Sequence, residues 1–256
     1  TDHYHCCMRL CVLLCISIMV LSCSEPELQV SNWNPISVDS TIKKNSTTEE
    51  IIKPYRDLID DEMNRVLVNS DTIIYKESPE SPLGNLIADL SFERAAKECA
   101  DKTLPSPDLC LLNFGGLRVN LPKGKVLVRK VFELMPFENE LVMVKLSPDS
   151  LNSLINYLAQ VGGQPISNMR IDIGQKENVR TIRVGGKKIN PNKNYLVVTT
   201  DYLANGGDQM SFFRSPISRT DLDVKLRDAI LDHFEKTGKT GHSLNPVIDG
   251  RLQIRE

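Results

Sequence analysis

The stretch Tyr195-Leu196-Val197-Val198-Thr199-Thr200-Asp201-Tyr202-Leu203-Ala204-Asn205-Gly206-Gly207-Asp208 changes character halfway along. Its first part, Tyr195–Thr200, is apolar, aromatic or β-branched and reads as a strand. The rest is polar and ends on two glycines and a carboxylate. Gly206 and Gly207 let the backbone turn sharply or approach a ligand closely, and Asp208 is delivered at the strand's rim. A second stretch has the same design. The compact apolar strand Leu109–Asn113 runs into Asn113-Phe114-Gly115-Gly116-Leu117-Arg118, with Gly115 and Gly116 shaping the turn and Arg118 at its end. Binding residues favour such loops on a rigid scaffold. Taken alone, each Gly-Gly pair is most simply an ordinary turn.

Working outward, a helix is expected from Thr48, with Glu49 and Glu50 at its positive end. Ile51, Ile52, Tyr55, Leu58, Ile59 and Met63 recur there at helical spacing, and Pro54 should bend or delay the start. Thr72–Tyr75 reads as a strand. Ser81-Pro82-Leu83-Gly84-Asn85 turns into a helix over about 83–100. Val128–Met135 reads as a short helix, followed by the segment Met135-Pro136-Phe137-Glu138-Asn139 and a strand over Glu140–Leu146. Ser147-Pro148-Asp149 starts another helix. Met169–Ile173 and Val179–Val184 read as strands, with a tight Gly185-Gly186 hairpin into Lys187–Ile189. Thr220 is expected to cap a last helix holding Leu222, Val224, Leu226, Ile230 and Phe234, ended by Gly238. Irregular alternation of helices and strands, with hairpins, predicts an α+β fold rather than a doubly wound parallel sheet. The folded domain is expected over residues 47–256.

The N-terminal residues read differently. Arg9 precedes the apolar run Leu10–Leu21, which has the length of a signal-peptide core and is short for a membrane span. Val20-Leu21-Ser22-Cys23 resembles a bacterial lipobox, in which the cysteine is lipidated and the leader removed; the alternative is an ordinary signal peptide with an incidental cysteine. The expectation is a leader over 1–22, then a lipidated Cys23 and a Ser/Thr/Asn/Pro-rich tether over 23–46. That places the protein at the bacterial cell envelope, facing the periplasm or the cell surface, held to the membrane by acyl chains on Cys23.

Composition bounds the chemistry. The 256 residues carry a net charge of −2, with 31 basic and 33 acidic residues. That balance argues against binding a nucleic-acid polymer, which calls for a basic excess. Five of seven cysteines lie in the first 23 positions, and only His233 and His242 remain of four histidines once the leader is removed. A His-rich metal centre is therefore not expected downstream of the leader. Cys99 and Cys110 are left to pair or to stay free.

Taken together, these segments resemble the C-terminal domain of the 5′-nucleotidase family. The resemblance runs from about Ile74 to Leu252 and includes the closing Asp249-Gly250-Arg251-Leu252. It implies mixed sheets with flanking helices. It also implies a domain that grips a nucleoside, while a separate metallophosphatase domain holds two metal ions and hydrolyses the phosphate. By position, Phe137 and Tyr202 match the two rings that sandwich the base. Asp208 matches the carboxylate that accepts from the ribose hydroxyls. Asn113 and Arg118 match the first and last residues of the family's Asn-Gly-Gly-Gly-x-Arg loop, on the base edge or sugar and on the ribose and phosphate. Two departures stand out. Phe114 replaces a glycine of that loop, and Tyr75-Lys76-Glu77-Ser78 stands where the family often has an arginine.

The metal set is missing from the resemblance. No Asp-x-His or Asn-His-Glu arrangement follows residue 22. The expected function is the nucleoside- or nucleotide-binding part of a 5′-nucleotidase-type hydrolase in nucleotide catabolism. No cofactor is expected in this chain; divalent metals would be held by a partner metallophosphatase chain. The alternative is a stand-alone nucleotide-binding envelope lipoprotein without catalysis.

Overall fold

A computed structural model describes residues 35–39, 41–174 and 178–255. The leader over 1–22, Cys23 and the tether up to residue 34 lie outside the described residues. The chain divides into two units, Thr1–Ile51 and Ile52–Glu256. In the first, the described residues lead to the opening turn of helix α1 (Ser46–Met63), where the Asn45 side chain accepts from the Thr48 amide at 3.0 Å. The helix thus starts at Ser46 rather than at Thr48, behind the Asn45 cap, and Pro54 stands within it without delaying its start. No residue of α1 is buried. Its apolar residues at helical spacing lie in the open, with Tyr55 69% and Leu58 79% exposed.

The second unit is built on a five-stranded mixed sheet in the order β10-β4-β9-β2-β5, comprising Ser218–Lys225, Glu140–Leu146, Tyr195–Thr200, Leu109–Leu111 and Ile166–Ser167. β2 and β9 run parallel; β4 is antiparallel to both β9 and β10. Period-two alternation splits β4 between two cores. Leu141 and Met143 join one with helices α2 (Pro82–Asp101) and α6 (Leu226–Lys239), while Val142, Val144 and Leu146 join the other with α4 (Pro148–Gln160). The sheet is therefore covered on both faces, and its three central strands, β4, β9 and β2, read as nearly continuous apolar runs. Two small sheets complete the unit. One pairs β1 (Val66–Ser70) with β3 (Gly124–Leu127) and β11 (Ser243–Leu244); the other orders β12 (Leu252–Ile254), β6 (Met169–Ile173), β7 (Val179–Val184) and β8 (Lys187–Lys188). The α+β architecture with mixed sheets and flanking helices is as expected.

The helix starts follow local chemistry. Ser81 caps α2, its hydroxyl accepting from Gly84 N–H at 3.1 Å with Pro82 at the first position. Ser147 caps α4 in the same way through Ser150 N–H at 3.2 Å. Such a cap contributes about 1 kcal/mol. The short helices α3 (Val128–Leu134) and α5 (Asp201–Ala204) complete the helical set among the described residues.

Three expectations are corrected. Thr72–Tyr75 is not a strand; Ile74 makes only an isolated bridge to Leu121, and the neighbouring strand is β1. Thr220 does not cap the last helix. Residues 218–225 form β10, because Leu222, Val224 and Leu226 alternate with polar residues and Thr220 pairs with Met143 across β4. A register shift accompanies Asp223, at φ 60°. Gly238 does not end α6, which runs on to Lys239. It is small because β1 passes close by: a Cβ there would stand 2.0 Å from the Leu67 carbonyl oxygen. Cys99 and Cys110 are both buried and free. Burial raises both thiols above their ordinary pKa, and pushes the fully buried Cys110 well above it.

Candidate functional site

Strand direction brings the site loops together. β2 and β9 are parallel neighbours, so the loops that follow them leave from one edge of the sheet. β4 is antiparallel to β9 and pairs Leu141 with Thr200, so the segment entering β4 reaches that same edge. β10 ends there too, with Lys225 opposite Glu140. Three loops far apart in sequence, and the junction of β10 with α6, thus converge.

The loop after β2 turns through a 3₁₀ segment, Phe114–Gly116. Asn113 is nearly buried, and its Nδ2 donates to Asp208 Oδ2 at 2.6 Å. Phe114 N–H donates to Gln164 Oε1 at 2.8 Å, a partner that the sequence did not reveal. The Phe114 ring lies over the start of α2, where a Cβ on Gly84 would be 3.0 Å from it. Its presence in place of a glycine thus adds packing against that helix. Lys76 donates to the carbonyls of Phe114 at 3.4 Å and Leu117 at 2.5 Å, fastening the turn from behind. Arg118 reaches back to the Gly115 carbonyl at 3.3 Å, and its guanidinium carbon stands 6.0 Å from the Phe137 ring centre.

The loop after β9 is fixed by its own residues. Thr200 Oγ1 caps α5 through Leu203 N–H at 3.3 Å, and Asp201 Oδ1 accepts from Glu140 N–H at 3.1 Å, joining this loop to the start of β4. Gly206 takes φ 87°, which favours glycine. Gly207 faces the Tyr202 ring so closely that a Cβ there would lie 2.4 Å from its edge. Asp208 itself is left-handed at φ 49°, a conformation that aspartate tolerates better than most residues. Tyr202 OH donates to Asp208 Oδ1 at 2.9 Å, and Tyr157 OH to the Asp208 carbonyl at 3.0 Å. The hydrogen bond to Asp208 holds the Tyr202 phenol above its ordinary pKa. Burial, then the nearby Asp208 charge, raises Tyr157.

All five side chains expected in the site, Asn113, Arg118, Phe137, Tyr202 and Asp208, line one cleft of about 270 Å³ together with Gly115 and Gly116. The Phe137 and Tyr202 rings are 41% and 45% exposed there, open to a flat ligand. Gly206 and Gly207 shape the loop without lining the cleft. Asn139 lines it and was not singled out from the sequence, although it stands two residues after Phe137 in a segment that was. Among the described residues, no group of three or more His, Cys, Asp or Glu is placed to hold a metal ion. His242 Nδ1 hydrogen-bonds Thr240 Oγ1 at 2.9 Å, and His233 is partly buried on α6.

The remaining motifs hold the fold. Glu80 is 8% exposed and accepts from Asn85 Nδ2 at 2.8 Å and from the Asp249, Gly250 and Leu252 amides at 2.9, 3.2 and 3.3 Å. The Gly84-Asn85 helix start and the closing Asp249-Gly250-Arg251-Leu252 are therefore two sides of one latch. Arg251 completes it with a bidentate pair to Asp89 at 2.7 and 2.9 Å and a bond to Asp249 at 2.9 Å.

Comparison with known proteins agrees with this architecture. Residues 63–215 match the family described as 5′-nucleotidase, C-terminal domain. The trifunctional nucleotide phosphoesterase protein YfkN of Bacillus subtilis (strain 168) is 24% identical over 243 residues, covering 87% of this chain and 16% of that protein. The 5′-nucleotidase of Homo sapiens is 20% identical over 252 residues, covering 88% and 43%. The crystal structure of the 5′-nucleotidase precursor from Thermus thermophilus superposes with a TM-score of 0.69 at 23% identity, covering 82% of this chain and 43% of that one. The Haemophilus influenzae NAD nucleotidase superposes at 0.62 with 18% identity, covering 82% and 41%. The chain spans less than half the length of these relatives. With the matched segment covering more than half of its length, the chain belongs to the 5′-nucleotidase C-terminal domain family.

Proposed function

We propose that this domain binds a nucleoside or nucleotide as the binding part of a 5′-nucleotidase-type hydrolase in nucleotide catabolism, and that a separate metallophosphatase chain performs the hydrolysis. The observation that carries the reading is the convergence of two exposed rings, a carboxylate, two amides and a guanidinium on one cleft. A base stacked on Phe137 and Tyr202 gains about 1–3 kcal/mol per stacking contact, with little dependence on its identity. Each Asp208 oxygen already accepts one hydrogen bond, from Asn113 or Tyr202, and keeps further acceptor capacity for ribose hydroxyls. The planar fork of Arg118 suits a phosphate or another oxyanion.

The described residues offer no donor set for a dinuclear metal centre, so the divalent metals belong to the partner in this reading. Lipidated Cys23 would hold the assembly at the bacterial cell envelope. The test is nucleotide hydrolysis by the purified protein, alone and with a candidate metallophosphatase chain and divalent metal. Adding the partner should raise turnover, and unchanged turnover would sink the two-chain reading. A second reading is a stand-alone nucleotide-binding envelope lipoprotein; the cleft, whose lining lies wholly within the unit Ile52–Glu256, is compatible with it as with the first. Nucleoside binding that is independent of any partner, with no hydrolysis in its presence, would select it.

A further inference from the structure

Phe137 stands on a loop with little burial of its own, yet the loop's backbone is tied at several points to residues 225–227. Arg227, in the first turn of α6, is 8% exposed. Its Nη1 donates to the Met135 carbonyl at 3.3 Å and to the Phe137 carbonyl at 3.4 Å, both long bonds. Its Nη2 pairs with Glu138, and its guanidinium carbon sits 4.5 Å above the Phe132 ring centre. Next to it, Leu226 N–H donates to the Asn139 carbonyl at 2.9 Å and Lys225 Nζ pairs with Glu138 at 2.5 Å. The segment 135–139 carries both Phe137 and Asn139, two walls of the cleft.

We infer that Arg227 is a positioning residue for nucleoside binding, setting where the Phe137 ring stands by holding the backbone on both sides of it. This rests on the nucleoside reading of the cleft. The chemistry explains why an arginine is used. A buried planar cation can donate to two carbonyls and one carboxylate while its face rests on an aromatic ring. A lysine has one compact head and cannot span those partners. Arg227 itself does not line the cleft, so its effect on a ligand runs through Phe137.

The test combines two measurements on the full chain. With 4-fluorophenylalanine incorporated, the fluorine line of residue 137 is followed in Arg227→Lys without ligand; the lines of Phe213 and Phe234 report on the core. Calorimetry with adenosine is then run on Arg227→Lys, Phe137→Ala and the double variant. The residue 137 line should move by more than its width while the core lines stay. Adenosine affinity should fall about tenfold in Arg227→Lys, within the stacking range, and hardly further when Phe137 is already alanine. An unmoved residue 137 line overturns the inference. So does an equal affinity loss in both backgrounds, which would mean that Arg227 acts on the fold at large. If Arg227→Lys does not fold, Arg227→Gln, which is too short to reach the Met135 and Phe137 carbonyls together, is read identically. If the wild type fails to bind adenosine, the nucleoside reading falls, and the fluorine line alone still decides whether Arg227 positions Phe137.

Discussion

Asn113 and Asp208 lie 95 residues apart in the chain and meet side chain to side chain at 2.6 Å, the amide donating to the carboxylate. The contact follows from the parallel pairing of β2 and β9, which sends both loops off one sheet edge. It fixes one Asp208 oxygen, and Tyr202 OH fixes the other. The carboxylate is thus oriented before any ligand arrives, which lowers the cost of ordering it on binding.

Asp208→Asn should separate charge from backbone strain. Asparagine also tolerates the left-handed φ of 49°, so the stability loss should be confined to the weakened hydrogen bonds from Asn113 and Tyr202 and stay within about 1–2 kcal/mol. Adenosine affinity should fall about tenfold, as expected when hydrogen bonds to a charged acceptor are lost, while free adenine is affected much less. Thermal melts and calorimetry with the two ligands check this.

Gly207→Ala should act on the ligand through Tyr202. A Cβ there would lie 2.4 Å from the ring edge, so the ring must move. The affinity loss should match that of Tyr202→Ala, about 1–3 kcal/mol. Tyr202→Phe keeps the ring and should retain most of the binding. Titrations of the three variants with adenosine distinguish these outcomes.

Glu80→Ala should damage stability and spare the ligand. It removes the acceptor from three backbone N–H groups and one of the two acceptors of Asn85 Nδ2, which keeps the Val247 carbonyl at 2.9 Å, around a carboxylate only 8% exposed. A loss of at least ~2 kcal/mol in urea unfolding is expected. Adenosine affinity at a temperature where the variant is folded should change less than about twofold, because the latch lies outside the cleft.

His233 should give a pH signature. Burial holds its imidazole below the ordinary 6.5, partly offset by Glu93. The unfolded chain therefore binds more protons in the window between the folded value and 6.5. The stability this group contributes is complete above 6.5 and is lost as pH falls through the folded value. His233→Asn should flatten the unfolding free energy across that window.

The sequence showed the site more clearly than the frame that holds it. The Tyr195–Asp208 and Leu109–Arg118 stretches were legible because each compresses a strand, a glycine turn and a polar end into a few residues. Phe137 was legible through the segment around it. What escaped depends on partners distant in sequence. Thr220 resembles a cap, which puts Leu222 and Val224 in a helix by local pattern, and only pairing with β4 decides for a strand. Gln164, Glu80 and Arg227 bond to backbone groups, so no side-chain pattern announces them. Gly238 looked like a helix stop and instead makes room for β1.

The central claim is that this cleft holds a nucleoside by stacking its base on Phe137 and Tyr202. Calorimetric titration of the protein with adenosine, repeated on the Phe137→Ala/Tyr202→Ala variant, tests it most directly. Saturable binding to the wild type, weakened at least about tenfold when both rings are removed, is the predicted result. Equal affinity with and without the two rings would contradict it.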